Sequence, residues 1–316
     1  QKVVIFAEAK KSQFSYSKET IDDIDVFRIW KREAAYESQF GLHAIIKALS
    51  GNLPDVVHIQ HEFGLFPNNT SFWFLVEALK ALKIKVFITF HTVTQPPSNI
   101  GFFSKSIEGV TAIVHTTPAL TVTGDFIHTV VIPHGCKILP KSSEELPLKG
   151  VNILNPGFIS ESKGNEEIIK AFAEGVWPFL QNNVYLHIVG LCRDGSYLDK
   201  LQSQIRSYSL EEYIKIDQGF KTEEQVDIYI NSVDIILLGG GKTSPYSASG
   251  QLAQALGARL PIVAKNIPIY HSQYSSNILY YKDAQECSHL LRGLLNKHTR
   301  NTLKMEGHTY LTWTGV

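Results

Sequence analysis

Short runs of valine and isoleucine alternate with longer amphipathic stretches along almost the whole chain. Runs such as Val56–Ile59, Val86–Phe90 and Val184–Val189 are nearly continuous in apolar residues. Strands of this kind are typical of parallel sheets that helices cover on both faces. Strands that alternate with helical patterns, such as Tyr36–Leu49 and Ile100–Glu108, indicate βαβ units. The pattern therefore predicts an α/β protein built on parallel sheets.

The length of 316 residues suits two domains. The segment Ile138–Gly150 is rich in proline, serine and charge, and it interrupts the alternation as a linker would. We predict a first domain at 1–137, a linker at 138–150, a second domain at 151–297 and the start of a closing helical region at 298–316. Two doubly wound domains would place a functional cleft between them, at the carboxyl ends of the strands.

Charge and composition exclude several classes of protein. The chain has 30 Lys and Arg residues against 30 Asp and Glu, whereas a general nucleic-acid binder is usually basic. Three widely spaced cysteines predict a reducing compartment, without a disulfide framework or zinc site. No apolar run approaches the length of a membrane span. We predict a cytoplasmic protein, and we expect that a natural start is missing because the chain begins with Gln1.

The stretch from Gly239 to Thr243, GGGKT, imitates a phosphate-binding P-loop. A Walker loop has glycine five residues before its Gly-Lys pair, but Ile236 occupies that place inside an apolar strand. Pro245 also follows too soon for a helix to begin after Lys242. We therefore reject the P-loop and keep two alternatives for Gly239–Gly241, a surface loop or a ligand contact.

Two other loop-to-helix junctions favour an anion. Ser249 is a predicted N-cap, and Gly250 would let a phosphate approach the unpaired N–H groups of the following helix. Lys163-Gly164 stands at a second helix start, where a lysine can neutralise a phosphate. A capped helix without ligand and an ordinary exposed lysine are the plainer interpretations. Both junctions on one parallel sheet favour a diphosphate site.

These segments resemble the GT-B glycosyltransferases, and most of all the large retaining group called group 1 or family four. The resemblance rests on GFISESKGNEEIIKAF, YLHIVG and ASGQLAQALGARLPIVAK in the second half of the chain. In the first half, DVVHIQHEFGLF, VFITFHTV and VIPHG look like motifs of the same group in the same order. Each motif alone is weak, so the specificity of the resemblance comes from all of the motifs occurring in this order. The resemblance implies two Rossmann-like domains that face each other across a cleft.

The resemblance also implies a site. It places His91 beside the donor sugar, and His91 and Lys163 in the catalytic role. It implies a UDP- or GDP-sugar as donor, with the diphosphate on Lys163 and the helix start, and it implies neither cofactor nor metal. Retention is usually explained by front-face attack, in which the leaving phosphate helps to take the acceptor proton. The predicted donor-binding residues are Gly157, Ser160, Lys163, Tyr246, Ser249, Gly250, Gln251 and Gln254.

The chain departs from the family pattern at several positions. Tyr246 and Gln254 stand where relatives carry two glutamates, and Phe158 stands where many place a phosphate-binding arginine. No glycine occurs before Gly41, so the first domain is predicted to lack the family's first strand and glycine-rich loop. Either pieces are missing at both termini or the loop has been lost.

Three histidines near predicted strand ends are candidates for function. His58 and His61 with Glu62 could suggest a metal, but a strand places residues three apart on opposite faces. His61 and Glu62 are predicted on the acceptor side, with loop packing as the alternative. For His91 the alternative is a structural histidine at a strand end.

The first functional hypothesis is a metal-independent retaining glycosyltransferase of hexosyltransferase type. Its acceptor would be a glycan, a lipid-linked glycan or another hydroxyl, in the synthesis of a surface polysaccharide or glycoconjugate. Lys80, Lys83 and Lys85 suggest peripheral membrane contact, or simply a solvated helix face. The second hypothesis is a catalytically inactive GT-B protein that binds a glycan or protein partner. A sugar-nucleotide epimerase would need catalytic carboxylates, and we identify none.

Overall fold

The computed structural model describes residues 2–10, 12, 15–66, 69–93, 108–121, 128–136, 139, 144–180, 183–241, 246–271 and 278–305. The chain divides into two compact units, Gln1–Ile132 and Pro133–Val316. Each unit contains a parallel sheet, which confirms the α/β prediction. The finer domain bounds, including a linker at 138–150, stay predictions.

The first unit contains two sheets. Its described strands are β1 Val4–Glu8, β2 Ser17–Ile21, β3 Ile24–Trp30, β4 Val56–His61, β5 Lys85–Phe90, β6 Val110–Val114 and β7 His128–Val131. Its described helices are α1 His43–Leu49 and α2 Asn69–Ala81. Strands β4, β5, β6 and β7 form a parallel sheet in that order, and β1, β3 and β2 form the other. Within the described ranges no strand joins β1 to β4.

Two local predictions for this unit were wrong. Strand β2 was missed because its sequence, SKETI, is polar and exposed, although it pairs with β3 in an antiparallel hairpin. Asp22 and Asp23 both have positive φ, as a tight two-residue hairpin turn requires. The helix predicted at Tyr36–Leu49 begins only at His43, after a series of turns. Most of the predicted helix Ile100–Glu108 lies outside the described residues.

The second unit is a doubly wound parallel sheet. Its described strands are β8 Val151–Pro156, β9 Val184–Gly190, β10 Ile214–Gln218, β11 Ile235–Leu238, β12 Ile262–Lys265 and β13 Ile278–Tyr281. The described helices are α3 Asn165–Gly175, α4 Trp177–Leu180, α5 Gly195–Ser207, α6 Glu223–Asn231, α7 Gly250–Gly257, α8 Pro268–His271, α9 Ala284–Leu294 and α10 Lys297–Met305. The strand order is β10-β9-β8-β11-β12-β13, and every neighbouring pair is parallel.

The sheet of the second unit is buried on both faces. Along β11, Ile235 and Leu237 pack into one core with helices α3, α5 and α9, whereas Ile236 and Leu238 pack into the other with α6 and α7. Alternate side chains of a strand point to opposite faces, so four consecutive apolar residues supply both cores. This arrangement places the carboxyl ends of all six strands along one edge.

Part of the segment predicted as a linker lies against the second unit. Leu139 and Leu148 pack on the core that contains Leu238, and the amide of Leu139 donates to the carbonyl of Gly257 at 3.2 Å. The amide of Leu146 donates to Oγ of Ser232 at 2.7 Å. The described part of this segment is therefore attached to the second unit by side-chain packing and by hydrogen bonds.

Candidate phosphate-binding site

Lys163 is a partly buried cation in the turn that follows β8. A short 3-10 turn, Glu161–Lys163, ends at Gly164, whose φ of +64° leads directly into α3. The Lys163 ammonium donates a hydrogen bond to Oε1 of Gln251, and among the described residues it makes no ion pair. Burial lowers its pKa. A cation removed from water without a counter-charge is costly, so this position favours an anionic ligand.

The P-loop-like glycines hold this turn in place. The amide of Gly241 donates to the Ser162 carbonyl at 2.9 Å. A Cβ atom on Gly239 would lie within 3.0 Å of the Lys163 carbonyl oxygen. The hydroxyl of Tyr270 donates to the Gly239 carbonyl at 2.7 Å. Gly239 is buried rather than part of a surface loop, and both Gly239 and Gly241 pack against the Lys163 turn, whereas a ligand contact stays a prediction. Lys242–Pro245 lie outside the described residues.

Helix α7 begins beside the same lysine. Ser249 is its N-cap, as predicted, and its Oγ accepts a hydrogen bond from the amide of Leu252 at 3.2 Å. Gly250 has open space where a side chain would stand. The first N–H groups of a helix lack partners within the helix, and its dipole adds partial positive charge there. This helix start therefore adds to the positive potential around Lys163.

Gln251 connects the two junctions. Its Nε2 donates to the Pro156 carbonyl at the end of β8, and its Oε1 accepts from Lys163. The side chain lies over Gly157, where a Cβ atom would meet it at less than 3.0 Å, and Gly157 has a φ of +107°. Glycine at this position leaves room for the Gln251 side chain.

The remaining predicted donor residues lie around this centre. The Ser160 hydroxyl is 3.0 Å from that of Ser162 in the Lys163 turn. Gln254 follows Gln251 by three residues, which places both on one side of α7. Tyr246 is half-buried in the segment before that helix. Asn165 is buried at the start of α3, and its Oδ1 has no hydrogen-bond partner.

In the first unit, His91 lies at the carboxyl end of β5 in a row of polar side chains. Its Nε2 is 2.7 Å from Oε1 of Gln60, and its Nδ1 is 3.4 Å from Nε2 of His115. Nδ1 of His115 lies 2.8 Å from the Ile132 carbonyl. A carbonyl oxygen only accepts, so Nδ1 of His115 carries a proton. The partners of His91 hold its ring at this edge of the sheet.

The acceptor-side role predicted for His61 does not fit its position. The side chain is only 3% exposed and is stacked on Phe66, with Phe63 and Phe72 edge-on to it. Its Nδ1 has no hydrogen-bond partner, and burial together with the charge of His91 lowers its pKa to about 4. The alternative interpretation, packing, describes this residue. The prediction used only the place of His61 at the end of β4, and the alternation of the strand turns this side chain toward the core.

Glu62 is held in the first unit by local hydrogen bonds. Its Oε2 accepts from the Thr92 hydroxyl at 2.8 Å, and its Oε1 accepts from the amide of Phe63 at 3.1 Å. His58 lies on the opposite face of β4 from His61, at 2.7 Å from the Thr89 hydroxyl. In the described part of the chain, no group of three histidine, cysteine or carboxylate side chains is placed to hold a metal ion.

The fold places the protein in a known class. The doubly wound parallel sheet of the second unit and the parallel sheet of the first correspond to the two Rossmann-like domains of GT-B glycosyltransferases, as predicted. Residues 140–301 match the family model described as "Glycosyl transferases group 1". The match covers more than half of the sequence, and the chain belongs to that family.

Solved structures of similar fold support this assignment. The chain superposes on a glycosyltransferase from Rickettsia africae with a TM-score of 0.69 at 15% identity, covering 90% of this chain and 80% of that one. Anabaena HepE, solved with UDP and glucose, superposes with a TM-score of 0.63 at 15% identity, covering 89% of this chain and 79% of that one. A UDP-forming trehalose-phosphate synthase from Burkholderia xenovorans, solved with glucose-6-phosphate, superposes with a TM-score of 0.72 at 11% identity, covering 96% of this chain and 88% of that one. No curated protein sequence matches the chain.

Several residues around the candidate site were not predicted. The hydrogen bonds of Gln60 and His115 to His91 join separate strands, and no local pattern indicates them. Arg193 lies in the loop after β9, and its position shortly after the segment YLHIVG could have suggested it as a candidate site residue. Within the described ranges, no helix combines the length and the apolar character needed to cross a membrane.

Proposed function

We propose that this protein is a retaining glycosyltransferase that uses a UDP- or GDP-sugar as its donor. The observation that carries the proposal is Lys163, a partly buried ammonium group beside the N-terminus of α7 that forms no ion pair with any described residue. A donor diphosphate supplies the missing negative charge. Family membership supports sugar transfer from a nucleoside-diphosphate donor, and HepE was solved with UDP and glucose.

In the proposed reaction, an acceptor hydroxyl oxygen attacks the anomeric carbon of the donor sugar. The bond from that carbon to the diphosphate oxygen breaks, and the hydroxyl proton passes to the departing phosphate on the same face. Negative charge grows on the diphosphate as the bond breaks. Lys163 and the α7 helix start stabilise that charge without a metal ion. His91 contacts the donor sugar in this proposal.

A direct test measures the binding of UDP- and GDP-sugars by calorimetry, and transfer by nucleotide release. We expect Lys163→Ala to weaken donor binding by about 30-fold or more, because it removes a desolvated charge pair. Lys170→Ala is the matched control, since Lys170 is an exposed lysine on α3 whose single ion pair among the described residues is with Glu174 at 4.0 Å. Unchanged affinity in Lys163→Ala, or no binding to any nucleotide-sugar, would contradict the proposal.

The second candidate is a GT-B protein that binds a glycan or protein partner without catalysis. Tyr246 and Gln254 favour it, because they replace the carboxylates expected in relatives. Donor binding without any turnover would favour this candidate, whereas release of nucleotide on addition of an acceptor would exclude it. The same calorimetry and release measurements therefore separate the two.

Peripheral membrane contact stays a prediction. Lys80 lies 3.0 Å from Glu77 on α2, so part of its charge is neutralised within the helix. Lys85 is exposed at the start of β5, and Lys83 lies in the turn between α2 and β5. The Lys80 pair favours the plainer interpretation, a solvated helix face.

A further inference from the structure

The loops that follow β8 and β9 run side by side at the carboxyl edge of the second sheet. The amide of Gly157 donates to the Val189 carbonyl at 2.9 Å, and the amide of Ile159 donates to the Leu191 carbonyl at 3.0 Å. Ile159 and Cys192 continue the parallel pairing beyond the two strands. The loop that carries Lys163 is therefore fastened along its first part to the loop that carries Arg193.

Arg193 is held over an exposed aromatic ring. Its guanidinium carbon lies 5.7 Å from the centre of the Phe158 ring, and Phe158 is 57% exposed. A guanidinium group stacks on such a ring while keeping its N–H donors free at the edge. Phe158 directly follows Gly157, the residue on which the Gln251 side chain rests. Phe158 thus connects Arg193 to the loop that leads to Lys163.

Arg193 has no negative partner within the described chain. It makes no ion pair and no side-chain hydrogen bond there. The adjacent Asp194 is used as the N-cap of α5, where its Oδ1 accepts from the amides of Ser196 and Tyr197 and from the Ser196 hydroxyl. Those hydrogen bonds lower the Asp194 pKa and hold the carboxylate on the helix start. The guanidinium of Arg193 is therefore exposed to solvent and, among the described residues, is not paired with the carboxylate of Asp194.

Two cations on adjoining loops, each without an ion-pair partner among the described residues, match a ligand with two anionic groups. Lys163 offers a single ammonium group from the loop after β8, and Arg193 offers a planar fork of donors from the loop after β9. An arginine fork suits the bidentate binding of a phosphate. We propose that Arg193 binds the donor diphosphate together with Lys163, and that the Phe158 ring positions it. The inference rests on the proposed function and adds a specific phosphate contact to it.

The test uses UDP, UMP, GDP and GMP with the full chain in calorimetry. We expect Arg193→Ala to weaken the binding of the nucleoside diphosphate that carries the preferred base about 10-fold or more. Binding of the corresponding monophosphate should weaken much less, because the variant loses the contact with the second phosphate. Arg193→Lys keeps the charge but loses the fork, so we expect an intermediate loss. Arg206→Ala is the control, since Arg206 is exposed on α5 and, within the described residues, its side chain bonds only to Ser203.

The outcomes separate this inference from the proposed function. If the wild-type protein binds diphosphates and Arg193→Ala binds them equally well, the assignment of Arg193 is overturned while the proposed function stands. An equal loss for monophosphate and diphosphate would also overturn it, because it would indicate a general disturbance of the loop. If the wild-type protein binds none of the four nucleotides, both ideas fail. An unchanged melting temperature confirms that the exposed substitution leaves the fold intact.

Discussion

Replacing Gly190 with alanine is expected to destabilise the protein by about 3–5 kcal/mol, as the sum of backbone strain and overpacking. Gly190 ends β9 with a φ of +152°, a conformation that other residues rarely adopt. An added Cβ would also lie within 3.0 Å of the Gly157 carbonyl. Gly157 has little room to withdraw, because its amide is bonded to Val189. Chemical unfolding of the purified variant measures the loss.

Two other glycines separate the causes of this effect. Gly219 has a similar φ of +145° but nothing near its hypothetical Cβ, so Gly219→Ala should show the strain alone, about 1–3 kcal/mol. Gly195, the first residue of α5, has neither strain nor a close neighbour, and alanine there should be neutral or slightly stabilising. If Gly190→Ala is no more destabilising than Gly219→Ala, the contact with Gly157 does not determine the structure of this edge.

Acid is expected to destabilise the first unit through His61. Its pKa falls from 6.5 to about 4 on folding, because the ring is buried without a hydrogen-bond partner for Nδ1. Between these values the unfolded chain binds a proton that the folded chain does not, so stability falls as the pH drops from about 6.5 to about 4. The full difference corresponds to about 3 kcal/mol. Above pH 7 the His61 ring is neutral in both the folded and the unfolded chain, so this loss of stability is absent.

His61→Phe should remove most of this pH dependence, since phenylalanine keeps the stacking on Phe66 and carries no titrating group. The measurement compares urea unfolding of the wild-type protein and the variant from pH 7.5 to pH 4.5. Burial also lowers the pKa values of His58 and His187, so a smaller acid dependence should remain in the variant. His128→Gln is the control, because His128 is exposed on β7. A pH profile identical to that of the wild type would show that His61 is not the titrating group.

Much of the second unit could be predicted because its sequence and its packing agree. The run Ile235–Leu238 is apolar at every position, and a short apolar run of this kind is typical of a strand buried on both faces. Ser249 and the apolar residues that follow it likewise predicted the start of α7 correctly. Strand β2 was missed because its stability comes from pairing with β3 rather than from its own residues.

The predicted site residues in the second unit meet only because the strands are neighbours. Lys163 and Gln251 lie 88 positions apart, and the order β8 beside β11 brings their loops together. Their residue types suggested phosphate, but the lack of an ion pair for Lys163 among the described residues is a property of the assembled edge. His61 shows the opposite outcome, because it lies at a strand end as predicted but the alternation of β4 turns its ring into the aromatic core.

By itself, the sequence determined the parallel α/β architecture, the rejection of the P-loop and the cap of α7. Each depends on residues close together in the chain, where spacing and residue type decide the local conformation. The tertiary structure alone decided that Gly239 and Gly241 support the Lys163 turn, that Phe158 carries Arg193, and that His61 is buried. Those relations depend on which strands become neighbours, and contacts between distant segments form only when the sheet is assembled.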